Sequence, residues 1–112
     1  MYAEKLKKLM TEDRVYLNAD LNLKILAQCL ETSEKTCSHV LSKGLESNFN
    51  QFVNRYRVEA FKDMIAENRH EHMTLSGLAY ECGFESKSTF NRSFKQFNKM
   101  TPSQYIKSIE AQ

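Results

Sequence analysis

Two stretches of this chain carry the same pattern of apolar and polar residues. Leu26-Ala27 and Leu78-Ala79 open it, 52 residues apart. Leu30, Ser33, Lys35, Ser38, His39 and Leu41 follow the first pair; Cys82-Gly83-Phe84, Lys87, Asn91, Arg92 and Phe94 follow the second. One extra residue in the second turn moves the offset to 53, and Leu41 then answers Phe94, Phe52 answers Tyr105, Val53 answers Ile106 and Tyr56 answers Ile109. A register kept at helical spacing predicts one structural unit used twice. In each copy a short apolar helix meets a turn, then a helix with one apolar face and one polar, basic face. That is how a helix-turn-helix reads in sequence, and two in tandem suit a protein that reaches two DNA grooves.

The apolar share of 41% supports a core, although each copy alone is small. One Pro and three Gly leave little room for a sheet-rich fold with many turns. The net charge of +2 is weak, but it is unevenly spread. Between Ser86 and Lys99 lie Lys87, Arg92, Lys95 and Lys99 and no acid. These cations fall opposite the Phe90, Phe94 and Phe97 face, which makes them more than an ordinary solvated run. Cys29, Cys37 and Cys82 lack a CxxC spacing and read as small buried hydrophobes in a reducing compartment. No apolar run reaches the length of a membrane span and no signal peptide is visible, so the expected location is the cytoplasm.

Helix boundaries follow from capping residues. Leu6, Leu9 and Met10 mark a first helix. Asn22 caps a second, with Leu23, Leu26, Ala27 and Leu30 inward. Ser33 caps a third, running to about Lys43. Asn48 caps a fourth, whose apolar stripe runs through Phe49, Phe52, Val53, Tyr56, Ala60, Phe61, Met64 and Ile65 without a Gly or Pro. A helix of about 19 residues spans roughly 28 Å, near the ~34 Å between successive major-groove faces of B-DNA. Glu67 to Met73 is a polar connector. Thr74 caps a fifth helix, Gly83 and Phe84 make its turn, and Ser86 caps the sixth. Thr101-Pro102 starts the last, which Tyr105, Ile106 and Ile109 fasten to the second copy.

The sixth helix offers Lys87, Ser88, Asn91, Arg92 and Lys95 away from its Phe face. Arg pairs bidentately with guanine and Asn with adenine, while Lys and hydroxyl side chains more often reach phosphate. The third helix offers Lys35, Thr36, Ser38, His39, Ser42 and Lys43. It is less basic, and His39 stands where Arg92 stands in the second copy, so the second copy is expected to supply more electrostatic affinity. Enzyme readings lack a supporting pattern: no Gly-rich phosphate loop and no Ser-His-acid arrangement are evident. His70-Glu71-His72 alternates on a connector without further ligands, so no metal is expected there, and nothing in the chain requires a cofactor. A second reading stays open, a helical protein-interaction module that retains the fold with weak or no DNA binding.

The residues resemble the DNA-binding domain of the AraC/XylS family. LAYECGFESKSTFNRSFKQF followed by MTPSQY is similar to that family's second motif, NFNQFVNRYRVEAFKDMI to its central linker and LAQCLETSEKTCSHVL to its first helix-turn-helix. The likeness covers about Leu6 to Ile109, and the linker and second motif are closest in wording to versions in Bacteroides-like bacteria. It implies an all-α fold of seven helices. Two homeodomain-like helix-turn-helix subdomains, over 1–47 and 68–112, would be joined by a linker helix over 48–67. It also implies recognition helices over 33–43 and 86–97 in adjacent major grooves of double-stranded DNA. By family position, base contacts carry over to Lys35, Ser38 and His39, and to Lys87, Ser88, Thr89 and Arg92. Ser33, Lys43, Ser86, Asn91 and Lys95 are expected on the DNA backbone. Such domains are often the output end of larger regulators, so the implied partners include a sensor or effector domain and RNA polymerase, with activation the family habit and no membrane contact by this domain.

Three positions depart from the family pattern. Glu46 and Lys99 stand where Gly usually follows each recognition helix, and Cys37 replaces a usual Leu. Either the two charged residues adopt positive φ, or the helix ends finish differently, with Gly44 serving in the first copy.

Overall fold

The computed structural model describes residues 1–111. Among them are seven α-helices and no strand: α1 (Tyr2–Thr11), α2 (Leu23–Cys29), α3 (Glu34–His39), α4 (Phe49–Ala66), α5 (Leu75–Glu81), α6 (Lys87–Asn98) and α7 (Pro102–Glu110). They build a body of 45 × 23 × 23 Å, with a lobe at each end and α4 between. None of these helices is long and apolar enough to cross a membrane.

Six helices start at a side chain that accepts a hydrogen bond from a backbone N–H three residues on: Asn22, Ser33, Asn48, Thr74, Ser86 and Thr101. Each satisfies an amide that the first turn would otherwise leave unpaired. The caps pair off at the offset of the sequence repeat, Asn22 with Thr74, Ser33 with Ser86 and Asn48 with Thr101. The backbone repeats as well. Arg14 and Asn68 take left-handed conformations, each leading into a single 3-10 turn, Val15–Leu17 and Arg69–Glu71. The second of these turns lies inside the stretch that reads as a polar connector. The start of α4 therefore matches the start of α7, and the exit from α4 matches the exit from α1. One helix closes the first unit and opens the second.

At 18 residues, α4 is about 27 Å long. Its apolar positions divide between two faces rather than forming one stripe. Toward the first lobe, Tyr56 stacks on Tyr16 with ring centres 5.9 Å apart and meets Phe52 edge-on. Toward the second, Phe61 lies 4.9 Å from Phe90 and 5.4 Å from Phe94. Phe84 and Tyr105 extend that aromatic chain to the α5–α6 turn and to α7. Buried side chains of both lobes thus form one continuous cluster.

Arg57 sits on α4 between these faces and is only 8% exposed. Its Nε donates to the Tyr16 carbonyl at 2.8 Å, Nη2 to the Asn18 carbonyl at 3.0 Å and Nη1 to Asn54 Oδ1 at 3.3 Å. The guanidinium carbon also lies 6.0 Å from the Phe84 ring centre. Burial lowers its pKa, opposed by the charge of Glu85. Gly83 packs against the same group with φ of 100°, and a Cβ there would stand 2.1 Å from the Tyr16 carbonyl oxygen and 2.9 Å from Arg57 Nε. The sequence reading of Gly83 as a turn glycine holds, and the close approach adds a second reason for it.

The third helix departs from its expected span of 33–43. Regular α-helix ends at His39, and Val40–Gly44 forms a wider π-helical turn closed by Leu45 N–H to the Val40 carbonyl at 3.1 Å. The wide turn keeps Leu41 buried and brings Leu45 against the core. Cys37 is fully buried despite its smaller side chain. The helix ends resolve the glycine question. Glu46 and Lys99 adopt φ of 50° and 61°, whereas Gly44 is not left-handed. Lys99 N–H reaches the Lys95 carbonyl at 2.8 Å, so the strained conformation closes the last turn of α6. Cys37 and Cys82 are buried and Cys29 is partly buried, all three as free thiols. Burial foremost, with the nearby acids Glu81 and Asp63, pushes the Cys82 thiol up to about 12 against a smaller opposing pull from Arg69.

Two glycine exchanges are expected to move stability in opposite directions. Gly83→Ala should cost roughly 2 kcal/mol or more, from backbone strain together with the clash. Lys99→Gly should add about 0.5–1 kcal/mol, the relief of left-handed strain less the entropy of glycine. Denaturant melts of the two variants test both signs; a Gly83→Ala chain as stable as the native one would contradict the crowding described here.

Candidate nucleic-acid interface

Helix α6 owes its two characters to spacing. Phe90, Ser93 and Phe94 are buried on one side. Ser88, Asn91, Arg92, Lys95 and Lys99 recur at helical intervals on the other, all exposed. Lys87 is exposed at the first helical position, and Thr89 is partly buried at the edge. Four ion pairs are present among the described residues: Lys5–Glu31, Lys62–Glu59, Arg69–Glu81 and His70–Glu110. None involves Lys87, Arg92, Lys95 or Lys99, so the cations of α6 remain free to meet an external anion.

The corresponding arc of the first lobe is also exposed. Lys35, Ser38 and His39 project from α3, and Ser42 and Lys43 from the π-helical turn after it. At the repeat offset, Arg92 is matched by His39, Lys95 by Ser42 and Lys99 by Glu46. The two exposed arcs therefore occupy matching positions in the repeat while differing in charge, and the π-helical turn that carries Ser42 and Lys43 corresponds to regular α-helix in α6.

The first residues of these helices are engaged internally. Ser86 Oγ accepts from Thr89 N–H at 3.2 Å and donates to Thr89 Oγ1 at 3.0 Å. Ser33 does the same with Thr36 at 3.1 and 3.0 Å. Both hydroxyls hold the start of their helix in place, and Thr89 is positioned by that bond.

A cleft flanks α6 on each side. The cleft toward the first lobe has a volume of about 520 Å³ and lies between Asn50, Asn54 and Arg57 of α4 and Thr89, Arg92 and Gln96 of α6. The other, about 510 Å³, lies between Lys87, Asn91 and Lys95 of α6 and the start of α7 at Thr101, Pro102 and Ser103. Arg92 borders both. The sequence points to the exposed arc, whereas Asn50, Asn54 and Gln96 come together only in the cleft that the fold forms. Only Gln96 carried a local signal, four residues beyond Arg92 on the same helix. Near the connector, His70 Nε2 lies 3.5 Å from Glu110 Oε1 of α7, and so joins that turn to the last helix.

A family model described as a helix-turn-helix domain matches residues 26–108. This chain belongs to the AraC/XylS family. An uncharacterised HTH-type transcriptional regulator of Staphylococcus aureus strain COL is 31% identical over 91 residues, 81% of this chain but 12% of that protein. Regulatory protein PocR of Salmonella typhimurium is 28% identical over 105 residues, 94% of this chain and 34% of PocR. The chain thus spans about a third or less of these two relatives. In fold, it is similar to the C-terminal domain of the two-component response regulator yesN from Fusobacterium nucleatum. The TM-score is 0.77 at 22% identity, covering 93% of this chain and 96% of that one. The C-terminal domain of AraT, a response regulator from Geobacillus stearothermophilus, gives a TM-score of 0.78 at 18% identity over 96% of this chain and 84% of that one. The AraC/XylS family is one of DNA-binding transcriptional regulators, and the all-α helix-turn-helix architecture of this chain is that of its C-terminal domains.

Since the Ser86 hydroxyl is committed to capping, Ser86→Ala should lower stability by about 1 kcal/mol without any DNA present. Thermal unfolding of the free protein checks this; an unchanged midpoint would mean that the cap contributes nothing.

Proposed function

We propose that this domain reads double-stranded DNA in two adjacent major grooves. In this reading, α6 is the principal reader and α3, with the turn after it, the weaker one. Lys87, Ser88, Thr89 and Arg92 contact base edges in one groove, and Lys35, Ser38 and His39 do so in the next. Ser33, Lys43, Ser86, Asn91 and Lys95 hold the DNA backbone, the two serines by setting the amide ends of their helices. The observation that carries the reading is the exposed, unpaired basic arc on α6 beside a less charged copy of itself. A surface free of internal acids keeps its full attraction for phosphate, whereas an arc neutralised by ion pairs would not. The length of α4 supports two readers on one face of the duplex. The domain works in the cytoplasm as the output end of a longer regulator. A sensor or effector domain supplies the signal, and activation proceeds through contact with RNA polymerase. It performs no catalysis.

Selection of bound sequences from a random duplex library tests the whole reading. The expected product is a bipartite site with half-sites about one turn, or ~10 base pairs, apart. A single half-site would leave α6 as the sole reader, and no enrichment would favour a protein-interaction module. Two substitutions then separate base from backbone roles. Arg92→Ala should relax preference within one half-site and cost ~1–3 kcal/mol. Lys95→Ala should weaken all sequences alike and flatten the salt dependence by about one unit of slope. A sequence-selective loss at Lys95, or unchanged preference at Arg92, would reverse the respective assignment.

A further inference from the structure

The cleft toward the first lobe has two polar walls. Thr89, Arg92, Ser93 and Gln96 follow one another along α6 at i, i+3, i+4 and i+7, and Asn50 and Asn54 face them from α4. Asn50 and Gln96 are exposed. Asn54 Oδ1 already accepts from Arg57 Nη1, which turns its NH2 group into the part left to donate. Arg57 spends three hydrogen bonds on Tyr16, Asn18 and Asn54, leaving two of a guanidinium's five donors. The charged groups lining the cleft are Arg57 and Arg92 against Glu85, a net excess of one positive charge.

A helix lying in a major groove presents its two flanks to the two sugar–phosphate strands that border the groove. If α3 and α6 occupy adjacent major grooves, the flank of α6 nearest the first lobe faces the strand that separates that groove from the intervening minor groove. This flank is the side of α6 that forms the cleft wall. Side-chain amides there suit phosphate oxygens, which accept but do not donate. Resting on the DNA-reading function proposed above, we infer that the α4–α6 cleft seats the sugar–phosphate strand between the two half-sites. Asn50, Asn54 and Gln96 donate hydrogen bonds to its phosphate oxygens. Helix α4 is then a DNA contact as well as a spacer.

The test uses the 112-residue chain and the duplex it selects. The double variant Asn50→Ala/Gln96→Ala changes two exposed side chains, so its thermal midpoint should match the native one. Its affinity should fall about tenfold, the loss of two modest hydrogen bonds, equally for selected and scrambled duplexes, with half-site preference intact. Asn50→Lys should steepen the dependence of log affinity on log salt by about one. Neutral methylphosphonates placed in the strand between the half-sites should weaken the native chain and leave the double variant nearly unaffected. The inference is overturned if the native chain binds its site while the double variant binds within about twofold and the Asn50→Lys slope is unchanged. A native chain that prefers no duplex removes the DNA-reading function itself, and this inference with it.

Discussion

The placement of one lobe against the other runs through the Arg57 guanidinium. Its planar fork reaches two backbone carbonyls of the first lobe and an amide on its own helix at the same time, while its face lies near Phe84 of the second lobe. A lysine ammonium on a flexible stem lacks that fixed geometry. The Asn18 carbonyl also accepts from the Leu21 N–H at 3.1 Å, whereas the Tyr16 carbonyl, inside the 3-10 turn, has Arg57 as its partner; without Arg57 it would be left unpaired, a cost of about 1–3 kcal/mol. Gly83 completes the arrangement, because only a residue without a side chain lets the α5–α6 turn close over this contact.

Helix α4 connects that local contact to the whole molecule. It ends one structural unit and begins the next, so the distance and rotation between lobes are set by a single run of backbone hydrogen bonds. If the two lobes meet two DNA grooves as proposed, a flexible linker would let each search separately and lose orientational entropy on binding. A shared helix with aromatic anchors on both faces bears that ordering cost during folding instead. The π-helical turn after α3 and the left-handed residues Glu46 and Lys99 adjust how the chain leaves α3 and α6 without disturbing this frame.

The two lobes differ in charge while keeping the same order of elements. Caps, left-handed turns and 3-10 turns recur at matching positions, yet Arg92, Lys95 and Lys99 face His39, Ser42 and Glu46 across the repeat. Shape at these sites is set by backbone hydrogen bonds and buried apolar residues, which tolerate few changes. The charged side chains of the outward arc on α6 form no ion pair with the described residues and are free to vary with the surface they meet. The cations of the second lobe are gathered on one arc of α6 rather than spread over the lobe, and under the proposed function such an arc suits a reader whose affinity comes mostly from one groove.

Much of this was legible in the chain itself. The repeat, the number of helices, their capping residues and the exposed arcs of α3 and α6 all follow from interactions within a few positions, such as a cap reaching three residues on or an apolar face recurring every third or fourth. Arg57 left one faint trace, a charged residue in line with Phe61 and Ile65 on an otherwise buried stripe. Glu46 and Lys99 stand out in the sequence where Gly is usual, but residue type alone does not decide their left-handed conformation. The amino-acid order determined what the pieces are and which faces they bury, because those features are local and periodic. Tertiary structure alone decided that Tyr16, Arg57 and Gly83 meet, that α4 divides its apolar side chains between two lobes, and that a polar cleft opens between α4 and α6. Residues so far apart in the chain share no local period, and only the packing of the helices brings them together.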